Sequence, residues 1–399
     1  MSSAPRGWEA RTVSECLRDS DIPRKASIPL TDYRLHGKYP IVDQGARQIG
    51  GYTDDQRFVY AENLPVILFG DHTRALKFLE LPFATGADGT KLLFPNPEVV
   101  DAKFLFYALK AISLESRGYN RHFGLLRDSQ VLIPKDINEQ RAIATTLSKV
   151  KEALESQGRS LVLRKELKMA VLATLFREGL RGEKSQRTEL GDFPRSWELL
   201  PLGRPCRITS GGTPAREVPA YWNGTIPWVK TGEIDYREIT QTEEHITELG
   251  LSNSSARIMK KGTVLLAMYG QGVTRGKVAM LGIDAATNQA CAALIPDKTL
   301  DSSFLYAYCT FAYERIRQLG HGANQKNLSG DILKQMLIPV PPDVDEQREI
   351  GAIMTKLGSA DRVAEKQKAQ LELLFFEMQH ALTSGSLRIK HGRNSDGRH

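Results

Sequence analysis

The feature that most constrains this chain is a phrase that occurs twice. Residues 131–143 read VLIPKDINEQRAI and residues 336–350 read MLIPVPPDVDEQREI. Shorter matches keep the same order: Trp-Glu pairs at Trp8 and Trp197, YPIVDQG at 39–45 with IPWVKTG at 226–232, and FLFYALKAI at 104–112 with FLYAYCTFA at 304–312. An internal repeat dictates architecture before any single motif does. The sequence therefore predicts two copies of one structural unit, over roughly 1–180 and roughly 190–385.

The pattern of apolar residues changes within each copy. The first two thirds contain short apolar runs broken by Gly, Pro and Asp, such as LPVILFGD and GTVLLAMYGQG, which are typical of strands and loops. After the Leu-Ile-Pro phrase, each copy continues through a long stretch with no Pro and little Gly, with Asp136 and Asp343 as candidate N-caps. These stretches predict two long helices.

Heptad spacing of apolar residues marks both predicted helices. In the second, one position repeats through Ile350, Leu357, Ala364, Leu371 and Met378, and a companion through Ile353, Ala360, Gln367, Leu374 and Ala381. In the first, the repeat runs through Leu147, Leu154, Leu161 and Leu175 with Ile143, Val150 and Val171, and is interrupted by Gln157, Gly158 and Lys168. One apolar stripe usually marks an ordinary core helix, but two matched stripes favour an intramolecular coiled coil. Helices of about 40 residues would span about 60 Å and act as a spacer.

Composition excludes several classes of protein. No window approaches the roughly 18 consecutive apolar residues of a membrane span, and the N-terminus lacks an apolar signal stretch, so we expect a cytoplasmic protein without membrane contact. Cys16, Cys206, Cys291 and Cys309 form no C-x-x-C pair, which predicts reduced, buried thiols. The formal net charge of +7 permits a polyanionic partner.

The usual signatures of an enzyme are missing from the sequence. It contains no G-x-x-x-x-G-K-[ST], H-E-x-x-H or G-x-S-x-G motif. YGQGVTRGKVAML favours a β-hairpin, because KVAML after the glycines looks like a strand and not a phosphate-binding helix. Asp71, Asp88 and Asp235 show no metal-ligand spacing. We therefore expect no catalytic, cofactor-binding or metal-binding residue in this chain.

Polar loops beside glycines recur in both copies. They include GARQIGG, GDHTRALK, GADGTK and YNRHFG in the first copy, and VKTGEI, GQGVTRGK, ATNQA and GHGANQKNLSG in the second. Arg and Lys pair with guanine edges and Asn and Gln with adenine edges, whereas any single loop is equally well explained as a solvated tip. Their recurrence favours DNA contact. The predicted DNA-binding residues are Arg47, Gln48, His72, Thr73, Arg74, Lys91, Arg121, His122, Lys230, Thr231, Gln271, Thr274, Arg275, Asn288, Gln289, Asn324, Gln325 and Lys326.

Over roughly residues 1–385 the chain resembles the specificity subunit of a type I restriction-modification system. The resemblance rests on Leu132-Ile133-Pro134 with Glu139-Gln140 and Leu337-Ile338-Pro339 with Glu346-Gln347, on the Trp-Glu starts, and on SGGTP at 210–214, IPWVKTGEI at 226–234 and GANQKNLS at 322–329. The first copy departs from the commoner pattern with IVDQGARQIGGYT and FGDHTR. That departure fits a different half-site, and it leaves residue equivalence between the copies open.

The resemblance implies an α+β chain with an internal pseudo-two-fold repeat, in which two α/β target-recognition domains are separated by two long helices forming an antiparallel coiled coil. The implied boundaries are recognition domain 1 at 1–135, a helical spacer at 136–180, a linker at 181–194, recognition domain 2 at 195–342, a second helical spacer at 343–385 and a disordered basic tail at 386–399.

The implied function is non-catalytic: the chain reads a bipartite target, one half-site per domain, for adenine methylation. The implied partners are double-stranded DNA and two methyltransferase (M) subunits, which would hold S-adenosylmethionine, while two restriction (R) helicase-nuclease subunits are a further option. The residues also leave two other functions open, a coiled-coil adaptor without DNA readout and an unrecognised nicking component. A steep dependence of DNA binding on salt would distinguish a reader from an adaptor.

Overall fold

The computed structural model describes residues 4–18, 25–86, 89–115, 121–270, 273–319 and 327–389. The chain divides into two compact units, unit 1 with residues 1–158 and 367–399 and unit 2 with residues 159–366. Each unit contains one globular part and one half of each of two long helices. No helix among the residues above is long and apolar enough to cross a membrane.

The described residues of the globular part of unit 1 form three small sheets and two helices. Its elements are β1 (Trp8–Thr12), β2 (Tyr39–Val42), β3 (Gly51–Thr53), β4 (Val59–Tyr60), β5 (Val66–Gly70), β6 (Leu76–Leu79), β7 (Phe83–Thr85), β8 (Thr90–Leu93), α1 (Ala102–Ala111), α2 (Phe123–Asp128) and β9 (Gln130–Pro134). The sheets have the strand orders β3-β2-β7-β4, β6-β5-β8 and β1-β9. Every residue of β5 is buried, and Phe104 and Leu105 of α1 join the same core.

Unit 2 repeats this plan with a larger sheet. Its strands are β10 (Ser185–Thr188), β11 (Gly191–Pro194), β12 (Glu198–Pro201), β13 (Cys206–Ser210), β14 (Trp222–Val229), β15 (Glu238–Ile239), β16 (Glu244–Ile246), β17 (Val264–Ala267), β18 (Val278–Leu281), β19 (Ala286–Thr287), β20 (Cys291–Pro296) and β21 (Leu337–Val340). They form sheets ordered β13-β20-β17-β18-β15, β16-β14-β19, β12-β21 and β10-β11. Four short helices accompany them.

Two helices are far longer than the others. The long helices are α3 (Ile137–Glu178, 42 residues) and α8 (Val344–Thr383, 40 residues), and the short helices of unit 2 are α4 (Glu248–Ser252), α5 (Ser302–Phe311), α6 (Tyr313–Gln318) and α7 (Gly330–Gln335). Within unit 2, Lys168 lies 2.8 Å from Asp361 and Lys165 lies 3.5 Å from Glu365. Residue numbers along α3 rise while those of their partners on α8 fall, so the predicted antiparallel pairing is confirmed. The mixture of helices and sheets confirms the predicted α+β class.

The predicted companion position of the second heptad is wrong. Leu374 is 46% exposed, and Ala360 and Gln367 are also exposed. The buried companion position contains Met354 and Leu382 instead, which lie four residues after Ile350 and Met378, whereas the predicted position lay three residues after them. The sequence concealed this spacing because the same heptad position carries the charged residues Asp361 and Lys368. The seam of each helix pair therefore includes charged groups that an apolar pattern does not identify.

The Leu-Ile-Pro strands explain the repeated phrase. Trp8 of β1 lies opposite Pro134 of β9, whereas in unit 2 Glu198 lies opposite Val340, which places Trp197 beside Pro341. An alignment of the two Leu-Ile-Pro sequences would instead pair Pro134 with Pro339, which lies two residues before Pro341. A shift of two keeps every side chain on its own face of a strand, so the extra residues in the second copy leave the packing intact.

The Gln of each phrase fixes the start of the long helix to the globular part. In unit 1, Gln140 Oε1 accepts from the backbone N–H of Asp101 at 2.7 Å, and its Nε2 donates to the carbonyl oxygens of Pro134 (2.8 Å) and Val99 (3.3 Å). Asp101 in turn caps α1 by accepting from the N–H of Lys103 and Phe104. One buried amide thus joins a strand, a loop and a helix start.

Unit 2 contains the same arrangement. Gln347 Oε1 accepts from the backbone N–H of Asp301 at 2.7 Å, and Nε2 donates to Pro341 (2.9 Å) and Thr299 (3.0 Å). Asp301 caps α5 as Asp101 caps α1. Because all three bonds recur, the phrase is repeated for a structural reason: it makes the same joint twice.

The Glu of each phrase joins the start of one long helix to the segment after the other. In unit 1, Glu139 accepts from Trp8 Nε1 at 3.3 Å and from Arg388 at 2.6 and 2.8 Å. In unit 2, Glu346 accepts from the N–H of Leu180, just after α3, at 3.2 Å. In each unit, the start of one long helix is therefore bonded to the segment that follows the other long helix.

The segments flanking the helices differ in part from the predicted linker and tail. Residues 181–194 contain the hairpin β10–β11, and Phe193 of that hairpin is buried. The first residues of the predicted tail, 386–389, are described and include Arg388 in its contact with Glu139. Residues 390–399 lie outside the described residues.

Candidate nucleic-acid interface

In unit 1 the predicted DNA-binding loops meet at one sheet edge. Strand β5 pairs antiparallel with both β6 and β8, so the end of β5, the start of β6 and the start of β8 lie at the same edge. The loop between β5 and β6 lies here with Lys91 of β8. We define the first edge cluster as Gln44, Arg47, Gln48, His72, Thr73, Arg74, Lys91 and Arg121.

Hydrogen bonds attach the loop at 43–50 to this edge. Thr73 Oγ1 donates to the carbonyl oxygen of Gln44 at 2.7 Å, and Gln44 Oε1 accepts from the N–H of His72 at 3.3 Å. Lys77 Nζ donates to the carbonyl oxygen of Arg47 and lies 3.7 Å from Asp43. Burial lowers the pKa of Lys77, and Asp43 opposes that shift. Arg47 and Gln48 themselves are exposed.

Arg74 sits in an unusual backbone conformation at the tip of this loop. Its φ is 61°, a left-handed value that non-glycine residues seldom adopt. Its Nη1 donates to the carbonyl oxygen of Leu114 at 2.8 Å, while the residue as a whole is exposed. The loop thus presents Thr73 and Arg74 outward on a constrained backbone.

His122 differs from the other predicted residues because it is buried, at 1% exposure. Asp71 Oδ1 accepts from the N–H of His122 (2.9 Å) and of Phe123 (2.8 Å), which caps α2, and His122 Nδ1 lies 3.0 Å from the carbonyl oxygen of Asp71. The ring therefore does not face solvent, and its contacts position the neighbouring Arg121, which is exposed. Lys91 lies 5.6 Å above the Phe123 ring.

Unit 2 presents a comparable edge. Strands β13, β20, β17 and β18 are antiparallel neighbours, so the end of β13, the start of β20, the end of β17 and the start of β18 lie together. We define the second edge cluster as Thr213, Arg216, Lys230, Thr231, Thr274, Arg275, Asn288 and Gln289. The N–H of Leu328 donates to the carbonyl oxygen of Met268 at 3.2 Å, which brings residues 327–328 to the same edge.

Three loops of the second edge cluster are in direct contact. Thr231 Oγ1 donates to Asn288 Oδ1 at 3.0 Å, and the N–H of Asn288 donates to Val229 at 3.1 Å. Thr213 Oγ1 donates to Gln289 Oε1. These bonds use the amide oxygens, and among the residues that the structure describes the amide nitrogens of Asn288 and Gln289 have no acceptor, so they are left to donate. The exposed Gln289 is well placed to do so.

Lys230 is already balanced by two carboxylates. Its Nζ lies 2.7 Å from Glu243 and 3.2 Å from Glu244, and these bonds, Glu243 first, raise the pKa of Lys230. Glu244 also pairs with Arg216 at 2.6 Å. A phosphate contact by Lys230 would have to displace a glutamate, so its predicted role is weaker than its sequence context indicated.

Arg216 is a candidate that the sequence reasoning missed. Its guanidinium lies 3.9 Å from the Trp222 ring centroid and 4.9 Å from that of Trp228, yet the residue is exposed. Stacking on the two rings orients the guanidinium, but Arg216 also pairs with Glu244, so its contact with a phosphate would have to displace that glutamate, as for Lys230. An Arg close to two Trp residues, in PAREVPAYWNGTIPW, is the signal that could have found it.

Thr274 and Arg275 lie in the predicted hairpin, which is confirmed because β17 and β18 pair antiparallel. Both residues are half-buried rather than fully exposed at a tip. Lys277 N–H donates to the Thr274 carbonyl oxygen at 3.1 Å, which closes the turn. The predicted residues Gln271, Asn324, Gln325 and Lys326 lie outside the described residues.

The cysteines lie in the interior of the two units. All four cysteines are free and buried, as predicted. Burial raises the pKa of Cys16 to about 11, which suppresses the thiolate. Across the described ranges, no three His, Cys, Asp or Glu side chains are grouped to hold a metal ion. The two edge clusters instead offer cations, hydroxyls and amides, which suit phosphates and base edges.

Comparison with known proteins shows a consistent relationship. Residues 194–373 match the type I restriction modification DNA specificity domain. A type I restriction enzyme specificity subunit of Methanocaldococcus jannaschii is 29% identical over 194 residues, 47% of this chain and 43% of that protein, so this match spans under half the relative's length. A specificity subunit of Escherichia coli is 23% identical over 362 residues, 88% of this chain and 87% of that one.

Solved structures share the fold. The S subunit of a type I restriction-modification system from M. genitalium has a TM-score of 0.65 at 19% identity, covering 94% of this chain and 96% of that chain. A chain from a study of complex assembly in the type I R-M system has a TM-score of 0.56 at 17% identity, covering 97% and 100%. Both full-length curated relatives are named specificity subunits of type I restriction enzymes. Residues 194–373 thus match the DNA specificity domain of type I restriction-modification systems, and most of the chain is similar to specificity subunits of such systems.

Proposed function

We propose that this chain reads a split DNA target, with each edge cluster addressing one half-site. The observation that carries the proposal is the repeated construction: in both units, polar and cationic side chains from several loops converge at one edge of a sheet. The two clusters differ in their residues, with Arg47, Gln48 and Arg74 in the first and Arg216, Arg275 and Gln289 in the second. Different side chains on one framework are what two different half-sites require.

The long helices support a second part of the proposal, the docking of two methyltransferase subunits. Gln140 and Gln347 make the same hydrogen bonds in their two units and lie 207 residues apart. The same separation makes Leu167 of α3 equivalent to Leu374 of α8. Leu167 is 58% exposed and Leu374 is 46% exposed. A large apolar side chain exposed at equivalent positions favours two equivalent partner copies.

In this proposal the partners supply the chemistry. S-adenosylmethionine and the adenine to be methylated are held by the methyltransferase subunits, because the present chain offers recognition groups rather than a methyl-transfer site. Two restriction subunits complete the assembly where DNA cleavage is part of the system. The bound target is double-stranded DNA, and the charged contacts make its affinity strongly salt-dependent.

The test of DNA reading is selection from a randomised duplex library by the complex of this chain with its methyltransferase subunit. Replacing Arg74 by Ala should relax preferences in one half-site only, and replacing Gln289 by Ala should relax only the other. A lost base contact costs about 1–3 kcal/mol at one position. Arg207→Ala, at the opposite end of β13 from the second edge cluster, is the control and should leave both half-sites unchanged.

The same library separates the alternatives. An adaptor without readout would select no motif and show a shallow salt dependence. If Arg74→Ala and Gln289→Ala both left the selected motif and the salt slope unchanged, the edge clusters would not be the reading surfaces. A nicking component would open supercoiled plasmid when supplied with Mg²⁺, which we do not expect of this chain.

The docking part is tested by native mass spectrometry of the complex. Leu167→Glu and Leu374→Glu should each remove one methyltransferase copy, and the double variant both, so each single variant controls for the other. Placing a charge in a buried apolar contact costs several kcal/mol unless it is paired. Retention of two copies by the double variant would refute this docking surface.

A further inference from the structure

A buried cation contacts the loop at 43–50 of unit 1. Lys77 is the second residue of β6, opposite Leu68 of β5, and only 4% of it is exposed. Its Nζ donates to the carbonyl oxygen of Arg47 and lies 3.7 Å from Asp43 Oδ1. Burying an ammonium group is costly even when it is paired, so core packing alone does not account for a lysine at this position.

The equivalent position of unit 2 shows that the shared framework does not require this charge. Counted from the Thr-Arg pair in each copy, Lys77 corresponds to Val278. The strand pairing agrees, because Lys77 lies opposite Leu68 and Val278 lies opposite Leu266, each on a strand with an antiparallel neighbour on both sides. Val278 is fully buried. Since a valine fills this position in one unit, the reason for the lysine lies in what it contacts in the other.

Asp43 extends the network from Lys77 to the start of the loop. Asp43 Oδ1 accepts from the N–H of Gly45 at 2.8 Å, and Oδ2 accepts from the Tyr33 hydroxyl at 3.1 Å. Burial, together with Asp43, raises the pKa of Tyr33, so this hydroxyl remains a donor at neutral pH. One carboxylate with three partners therefore fixes the first residues of the loop.

The end of the loop is fixed by close packing of Tyr33 against two glycines. A Cβ at Gly50 would meet Tyr33 Cε2 at 3.0 Å, and a Cβ at Gly51 would meet Tyr33 Cβ at 2.8 Å. Any larger residue at either position would displace the Tyr33 ring. The N–H of Gly50 also donates to the carbonyl oxygen of Ile41 at 2.9 Å, which closes the loop where β2 and β3 pair.

Arg47 and Gln48 lie exposed between these two anchored ends. The bond from Lys77 is made to the main chain of Arg47, so it restricts the backbone and leaves the guanidinium to point outward. A loop that is already held in one conformation loses less conformational entropy when it binds. Contacts with base edges depend on the direction from which a side chain arrives, so the anchoring of this loop bears on selectivity.

We propose that Lys77 is a positioning residue for the first half-site: by holding the main chain of Arg47, it sets the direction in which Arg47 and Gln48 meet base edges. Lys77 is buried and does not itself contact DNA. Without it the loop still carries Arg47 to the phosphates, so binding to any sequence persists while selection among bases weakens. The inference rests on the proposed function, since it assumes that the first edge cluster reads DNA.

The test is Lys77→Met, which keeps a long side chain but removes the ammonium group. The complex with the methyltransferase subunit is used to select duplexes from a randomised library. Preference should fall roughly 10-fold at the base position that Arg47→Ala also relaxes, and the other half-site should be selected as before. Lys103→Met is the matched control, because Lys103 of the same unit is partly exposed and pairs with Glu80 instead of the loop; both half-sites should stay unchanged.

A second variant separates positioning from a loss of stability. Lys77→Met leaves the carboxylate of Asp43 without its cation and should lower the thermal midpoint. Adding Asp43→Asn removes that charge, and the amide oxygen can still accept from Gly45, so the midpoint should recover. Preference at the base position should nevertheless stay relaxed. Recovery of the preference together with the midpoint would overturn the proposal, because Lys77 would then act on stability alone.

A double-mutant cycle checks that Lys77 acts through Arg47. Arg47→Ala removes the side chain but keeps the carbonyl oxygen that Lys77 binds. In that background, Lys77→Met should cause no further relaxation at the same base position. Fully additive losses would show that the two residues act independently, which contradicts the proposal.

The failures are distinguishable. If the unchanged complex selected a split motif, and either Arg47→Ala or Lys77→Met selected the same motif with the same preferences, Lys77 would not position a reading residue and the proposed function would stand. If the unchanged complex selected no split motif, the proposed function and this inference would both be refuted.

Discussion

The ion pair between Lys168 and Asp361 offers a sharp test of how the helix seam is built. Both side chains are well buried, at 13% and 11% exposure, and their charged atoms lie 2.8 Å apart. At the spacing of 207 residues between the copies, the corresponding positions in unit 1 are Phe375 and Leu154. The chain thus has an ion pair in one unit and two apolar residues at the equivalent positions of the other.

The magnitudes predict a strong asymmetry between single and double variants. At an effective dielectric constant of about 20, charges 2.8 Å apart attract by about 6 kcal/mol, but the cost of removing both ions from water offsets most of that. Removing only one partner leaves the other ion buried and unpaired, which costs about 3 kcal/mol. Lys168→Phe with Asp361→Leu imports the apolar pair and should be neutral within about 1 kcal/mol or stabilising.

Hydrogen exchange of amides in 159–178 and 344–366 measures the local free energy of opening for each variant. We expect a coupling energy of about 6 kcal/mol in the double-mutant cycle, because each single variant loses about 3 kcal/mol while the double variant stays near neutral. The reasoning would be refuted if either single variant lost less than about 1 kcal/mol, or if the two losses simply added.

Other features of the structure give further expectations. Gln347→Leu leaves the N–H of Asp301 and two carbonyl oxygens without partners, so it should lower the free energy of unfolding by about 2–3 kcal/mol in a urea titration. Gln140→Leu should lower it by the same amount, and a loss below about 0.5 kcal/mol would show that these hydrogen bonds are unimportant for stability. Burial raises the pKa of Cys206 and Cys291 to about 12, so below that pH the folded thiols carry little thiolate. They should react slowly with a thiol reagent at pH 8 in the folded chain and fast only after unfolding. Immediate reaction of the folded chain would contradict their burial. Arg388→Ala removes the ion pair with Glu139 and should speed proteolysis after residue 383. The free energy of unfolding should fall by only about 1 kcal/mol, because Arg388 is partly exposed. An unchanged cleavage rate would show that this ion pair does not hold the segment in place.

The sequence was most informative where the two copies could be compared. The repeat predicted two units and two long helices correctly, because period and order depend on few residues. The family resemblance implied that the helices pair antiparallel, and the residues after the glycines of YGQGVTRGKVAML predicted the β17–β18 hairpin. The repeat could not identify the companion heptad position, since that position is occupied by the buried Asp361 and the half-buried Lys368, whose residue types look like surface residues. Pairing partners for charged groups come from the other helix, far away in sequence.

The sites were harder to predict than the fold. The letter pattern could not show that Gln140 bridges a strand, a loop and a helix cap, because its partners lie up to 41 residues away. His122 and Lys230 were chosen as polar residues in loops, whereas burial of the first and two glutamate partners of the second depend on the folded structure. Arg216 was missed because its candidacy depends on the rings of Trp222 and Trp228, which orient its guanidinium.

The most direct test of the central claim is a long-read map of methylated adenines in cells that carry this chain with its methyltransferase subunit, and in cells from which this chain has been deleted. We predict one split motif, with two specified half-sites around an unread spacer, that disappears on deletion. Its half-sites should change separately with Arg74→Ala and Gln289→Ala. A methylation pattern that is unchanged by the deletion, or a single uninterrupted motif, would contradict the claim that two edge clusters each read one half of the target.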